Sequence, residues 1–160
     1  MTGEEWEIHE EPAERVRAVL EEIVDALDLE AEVEVSEDED RIAGRVQGDD
    51  LGLLIGRRGQ TIDAVQLVCY RAAFRGRQER KRVVVDAAGY RERRRELVER
   101  QADQAAERAL ETGREIELEP MTPTERKIVH DRLKERTGLE TFSEGEGHER
   151  CVIVAPLVGD

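Results

Sequence analysis

Two short arrangements in this chain could do chemistry. The first is Gly56-Arg57-Arg58-Gly59, two glycines bracketing two arginines. Glycines let a backbone approach a sugar-phosphate chain without Cβ clashes, and a helix N-terminus offers unpaired N–H groups to an anion. Two guanidiniums add charge-assisted contacts to phosphate oxygens. The second arrangement is Arg126 with His130, four residues apart and so on one face if the segment is helical. Neither spacing is specific by itself. With 13 glycines in the chain, about one GxxG pair arises by chance. A plain helix–helix turn and an exposed helical pair are the bland readings of the two.

Other chemistries fit poorly. A Walker loop needs Gly-Lys-Ser/Thr after four variable residues, and a dinucleotide loop needs GxGxxG straight after a strand; the chain has neither. His130, His148 and Cys151, with Glu144 or Glu146 nearby, hold only one plausible zinc-ligand pair, His148-x-x-Cys151. Cys151 opens an apolar strand, where a buried thiol is the ordinary expectation. No metal and no cofactor are expected. Hydrolysis would need an oriented nucleophile or paired carboxylates in a cleft, and the abundant acids fall on solvated faces and in turns. The expectation is therefore no enzyme.

The elements that must position these residues follow from hydrophobic period. Val16, Val19, Leu20, Ile23, Val24 and Leu27 form the apolar stripe of a helix over about Pro12–Asp28. Ala31, Val33 and Val35 then alternate with glutamates, and Ile42, Gly44 and Val46 alternate likewise, predicting an antiparallel hairpin across Ser36–Asp40. The apolar run Leu53-Leu54-Ile55 leads into the GxxG turn. A helix over about Gln60–Phe74 follows, with Ile62, Val65, Cys69 and Ala72 inward, and then a β-branched strand, Lys81–Asp86. Ala87-Ala88-Gly89 marks a boundary. Beyond it a long helix over about Tyr90–Thr112 carries a seam of Val98, Ala102, Ala105, Ala106, Ala109 and Leu110. Ile116 and Leu118 read as a short strand. Thr122-Pro123-Thr124-Glu125 is a capping box with proline at the first helical position, opening a helix to about Arg136. Strands over Leu139–Ser143 and Arg150–Ala155 complete the chain.

Helix, strand, strand, helix, GxxG, helix, strand resembles the type II KH domain, which binds single-stranded RNA. Leu53-Leu54-Ile55-Gly56-Arg57-Arg58-Gly59-Gln60-Thr61-Ile62 is similar to its signature. The resemblance implies that Gly56, Arg57, Arg58 and Gly59 hold phosphates. It also implies that Ile55, Ile62 and a strand residue such as Val46 floor a base groove beside a strand edge. The capped helix with Arg126 and His130, followed by Thr141–Arg150 ahead of a β-branched strand, resembles the small single-strand nucleic-acid-binding domain named for an Arg-three-residue-His motif. In this order the two domains resemble the Jag (SpoIIIJ-associated) family of bacterial proteins. Many members also carry an N-terminal Jag-N domain; here a short acidic segment precedes Pro12, so nothing tied to that domain carries over.

The expected architecture is α+β: an acidic segment 1–11, a type II KH domain 12–87, and a linking helix with the RxxxH-type domain 88–160, each domain a three-stranded sheet packed by helices. The expected partner is single-stranded RNA, with single-stranded DNA, a second KH protein or a homodimer as further candidates. A post-transcriptional role is implied by resemblance alone. A protein-interaction adaptor using the KH groove is the alternative, and a metal-dependent nuclease the third reading.

Charge looks adverse to RNA at first. The chain of 160 residues carries a net charge of −14, and phosphate binders are usually basic. The deficit is uneven, however. Residues 1–50 hold 4 basic and 19 acidic side chains, residues 51–100 hold 13 and 6, and residues 101–160 hold 8 and 14. The central third is a basic island containing the GxxG turn, and its acidic flanks are expected to repel RNA from the remaining surface. No apolar run approaches the ~18–20 residues of a membrane span. Two isolated cysteines, with no secretory signal, point to reduced thiols in the cytoplasm.

Overall fold

The computed structural model describes residues 11–157, so most of the acidic segment expected at 1–11 lies outside the described residues. The chain divides into two compact units, one ending at Arg91 and one starting at Glu92.

In the first unit, α1 (Pro12–Ala26) starts with proline at its first turn and ends two residues before Asp28, which takes φ 52°. β1 (Ala31–Glu37) pairs antiparallel with β2 (Arg41–Gly48), placing Val33 opposite Val46. Asp38 Oδ1 closes the intervening turn by accepting the N–H groups of Asp40 and Arg41, each at 2.9 Å. Then come α2 (Gly52–Ile55), a single 3-10 turn over Arg57–Gly59, and α3 (Gln60–Ala73). β3 (Arg82–Ala87) lies parallel to β2, giving the sheet order β1-β2-β3. Return to a parallel neighbour needs a crossover, and the α2–α3 hairpin supplies it.

α1 and α3 bury their apolar stripes on this sheet. Val16, Leu20, Ile42, Val46, Leu54, Ile62, Cys69 and Val85 are fully enclosed. Gly44 is what lets α1 come so close: a Cβ there would sit 2.6 Å from Leu20 Cδ1. Two sequence expectations need correction. Ala73, not Ala72, is the fully buried alanine at the end of α3. Val46 is sealed in the core by its pleat, pointing at the helices, so it cannot floor an open groove. Cys69 is a core thiol whose burial pushes its pKa up to about 12.

The second unit takes up α4 (Tyr90–Thr112) from Glu92 onward, followed by β4 (Ile116–Glu117), α5 (Pro123–Leu133), β5 (Leu139–Glu144) and β6 (Cys151–Pro156). Its sheet has the order β4-β6-β5, with both neighbours antiparallel to β6. Val98, Ala102, Ala105, Ala106 and Ala109 of α4 pack with Val129 and Leu133 of α5 and with Val152 and Val154 of β6. Alanines along α4 permit this close approach. Leu110, expected in the seam, is 48% exposed, because Ala109 already occupies the inward position at that turn. α5 also stops three residues short of the expected Arg136, where Arg136 N–H bonds Leu133 O in a tighter turn.

Candidate nucleic-acid interface

The GxxG turn owes its shape to a run of left-handed residues. Gly56 has φ 74°, Arg58 φ 54° and Gly59 φ 76°. At Gly56 any side chain would collide with Thr61: a Cβ would meet Thr61 Oγ1 and lie 2.7 Å from Thr61 Cβ. At Gly59 a Cβ would sit 2.7 Å from the Tyr90 ring. Both glycines are therefore needed twice over, for their conformation and for the space beside them. Gly56 N–H ends α2 by bonding Gly52 O at 2.8 Å, and Gly59 N–H bonds Gly56 O at 3.3 Å. The chain then enters α3, whose first turn carries backbone N–H groups with no intrahelical acceptor.

The side chains on this turn divide by depth. Arg57 is exposed and Arg58 half-buried, while Ile55 packs partly on the core. Ile62 is fully buried one turn into α3 and faces the core. It anchors the helix pair from beneath, whereas Arg57 and, in part, Ile55 reach the surface. Farther along, the basic turn after α3 includes Arg80, whose guanidinium lies 6.0 Å from the Tyr70 ring centroid.

The second cluster is built on α5. Thr122 Oγ1 accepts Glu125 N–H at 3.3 Å, and Glu125 Oε2 accepts Thr122 N–H at 3.0 Å, closing the capping box. The other carboxylate oxygen of Glu125 accepts Arg94 Nε from α4 at 2.6 Å, with both side chains mostly enclosed. Sequence reasoning missed Arg94 as the partner of this cap; its only local sign was a charged residue on the seam side of α4. From the end so fixed, α5 presents Arg126 and His130. Arg126 Nη1 donates to Met121 O at 2.7 Å. The His130 ring lies between two hydroxyls of β5, Nδ1 2.7 Å from Thr141 Oγ1 and Nε2 3.1 Å from Ser143 Oγ. Thr141 and Ser143 are two apart on one strand, so they share a face; that alternation was visible in the sequence, its target was not. Burial, and then the Arg126 charge, hold the His130 pKa below the ordinary histidine value, with Asp131 acting weakly the other way. The neutral ring is thus the favoured form, one nitrogen donating and the other accepting.

The structure brings Arg126 and His130 together on one helix face with Thr141 and Ser143, and it places the GxxG residues together in the first unit. His148 and Cys151 do not join a ligand set. The Cys151 thiol is buried and donates to Glu117 Oε1 at 3.7 Å, and burial raises its pKa. Among the described residues no group of three or more His, Cys, Asp or Glu side chains could hold a metal ion, and no helix is long and apolar enough to cross a membrane.

Comparison with known proteins follows the same division. A family model described as KhpA/KhpB, KH domain matches residues 13–86, and the model of the Arg-three-residue-His domain matches residues 96–156. The chain is 38% identical over 138 residues to a protein of Clostridium symbiosum named RNA-binding protein KhpB, covering 85% of this chain and 62% of that one. It is 34% identical over 147 residues to the Bacillus subtilis (strain 168) protein of the same name, covering 91% and 71%. A further likeness, 30% over 145 residues, is to the Streptococcus pneumoniae (serotype 2, strain D39) protein of that name, of which the chain spans 44%.

Proposed function

Because this chain belongs to the KhpB/Jag-type family, which joins a KH domain to an RxxxH-type domain, we propose that it binds single-stranded RNA through both of its units and regulates transcripts after their synthesis. The observation that carries this reading is the basic GxxG turn, a left-handed loop opening α3 with Arg57 exposed and Arg58 beside it. Gly56 and Gly59 admit the sugar-phosphate chain, the two arginines pair with its phosphates, and Ile55 offers apolar surface to a base. Arg126 and His130, with the hydroxyls of Thr141 and Ser143, hold an adjacent stretch. Each contact set is small. Linking two weak sites raises overall affinity through effective concentration. Binding is the chemistry these groups suit: His130, held at both nitrogens by the Thr141 and Ser143 hydroxyls, presents a fixed polar face with Arg126.

A second reading has one observation in its favour. Leu53, Leu67 and Val68 on α2 and α3 are 63%, 55% and 52% exposed, which suits an adaptor that docks a protein on this helix pair.

The test is a titration of labelled single-stranded RNA at fixed salt against the wild type and Arg57→Asp with Arg58→Asp. Aspartate tolerates left-handed φ, so the loop keeps its course, and circular dichroism checks the fold. Loss of binding is expected, with the RNA recovered intact in the presence of divalent metal. Unchanged affinity would refute the role of the loop, and RNA cleavage abolished by mutating His130 would establish a nuclease instead.

A further inference from the structure

The free edge of β3 is occupied from within the chain. On its other side β3 is tied to β2, Arg82 N–H donating to Asp40 O and Ala88 N–H to Val46 O. Backbone polar groups alternate along a strand, so Arg82, Val84, Asp86 and Ala88 face β2, and Val83, Val85 and Ala87 turn theirs outward. An outward N–H and C=O form a ready template for a ligand or another strand. At Val85 that pair is filled. Gln66 Oε1, from α3, accepts Val85 N–H at 2.9 Å, and Arg91 Nε donates to Val85 O at 2.8 Å. Arg91 Nη2 donates to the same Gln66 oxygen at 3.0 Å, closing a ring, and Arg91 Nη1 pairs with Asp63 Oδ1 at 2.8 Å.

Three features make this ring a device acting on the ligand site, beyond a surface ornament. It is fastened to α3, the helix that the GxxG turn opens, with Asp63 and Gln66 three residues apart on one face. The neighbouring residue, Tyr90, packs on Gly59 of the turn itself. Its ionic anchor is also open to water, the Arg91 and Asp63 side chains being 32% and 47% exposed, so the ring can be undone at small cost. The Val85 side chain by contrast is fully buried, so the backbone pair stays in place when the ring opens.

We propose that Gln66 and Arg91 form a latch that competes with RNA for the β3 edge. This rests on the RNA-binding reading above. A base edge offering one acceptor and one donor side by side can replace Gln66 Oε1 and Arg91 Nε at Val85, and does so only when the latch swings away. A planar base fits this edge better than an added strand. Strand addition needs successive outward residues, and the next N–H, that of Ala87, is already bonded to Asp86 Oδ1 at 2.9 Å. The latch thereby separates two stages of binding: phosphates can settle on the loop with the edge closed, and base contact follows opening.

Gln66→Met tests this without changing charge. It removes the acceptor for Val85 N–H and one of the three acceptors steadying Arg91. The probe is a fluorescein-labelled pool of random-sequence RNA dodecamers, read by anisotropy at fixed salt. Freed from breaking one neutral hydrogen bond, the variant should bind about three- to tenfold more tightly than wild type. The Val85 amide should exchange faster in the free variant and regain protection with RNA. Asp63→Ala, at an exposed position, removes the ion pair that anchors Arg91 and so loosens the same ring should the first variant unfold. Its gain must persist at about 0.5 M salt, where a bare charge effect is screened. Binding by wild type with no gain in the variants would overturn the latch and leave the RNA reading standing. No binding by wild type or variant would overturn both. Self-association of Gln66→Met with unchanged RNA affinity would give the edge to strand pairing and overturn the latch.

Discussion

Glu125 does two jobs with one carboxylate, and the two can be separated by substitution. Oε2 completes the capping box at 3.0 Å, and Oε1 takes Arg94 Nε at 2.6 Å in a site where the two side chains are 9% and 17% exposed. Glu125→Ala removes both. Losing one half of a capping box costs about 0.5–1 kcal/mol. Stranding the guanidinium costs less than the ~3–5 kcal/mol of a fully buried broken pair, because Arg94 retains some solvent contact; about 2–3 kcal/mol is reasonable. The sum is about 2.5–4 kcal/mol for the second unit. Glu125→Gln keeps one oxygen for the cap but turns a donor-only –NH2 toward Arg94 Nε, so it loses the Arg94 bond and should cost about 2–3 kcal/mol. The chain's one tryptophan, Trp6, is far in sequence from this site. Amide exchange at the buried Val152 and Val154 is therefore the better measure of unit stability. A Glu125→Ala protein within about 0.5 kcal/mol of wild type would refute the assignment, and with it the view that this pair sets where Arg126 and His130 stand.

The remaining expectations concern the face that Glu125 supports. The His130 pKa is lowered in the folded protein, so folding favours the neutral ring. Its contribution to stability is full above the ordinary histidine value of 6.5 and is lost as pH falls through the lower folded value. Melting of the second unit should therefore drop on acidification, and His130→Gln should flatten that dependence; a wild-type profile already flat would contradict it. Arg126→Ala should weaken binding to long oligonucleotides and spare a tetranucleotide held by the GxxG turn alone. Equal loss on both lengths, measured by the same titration, would count against the two-site reading.

Much of the fold is legible because it is written in short-range patterns. The stripe from Val16 to Leu27, the alternation through β1 and β2, the box at Thr122–Glu125 and the glycines at 56 and 59 each act within a turn or two of chain. Such patterns mislead where a neighbour far along the chain decides the outcome. Val46 reads as a residue beside a groove, yet the pleat of a central strand turns it into the core. Leu110 continues the seam of α4 on paper, but helix geometry has already placed Ala109 inward. Ile62 reads as groove floor, and the structure seats it fully buried beneath the helix pair.

The sequence by itself determined the element order, the glycine turn, the cap of α5 and a basic centre between acidic flanks. These follow from local stereochemistry and composition, which need no knowledge of what packs on what. The tertiary structure alone decided which charges are spent internally. Arg94 is drawn 31 residues along the chain to Glu125, and Arg91 reaches 28 residues back to Asp63. In the sequence these two are indistinguishable from Arg93 and Arg95 in the same run. A guanidinium's partner is chosen by which carboxylates and carbonyls the fold leaves within its reach, a distance in space that spacing along the chain does not encode.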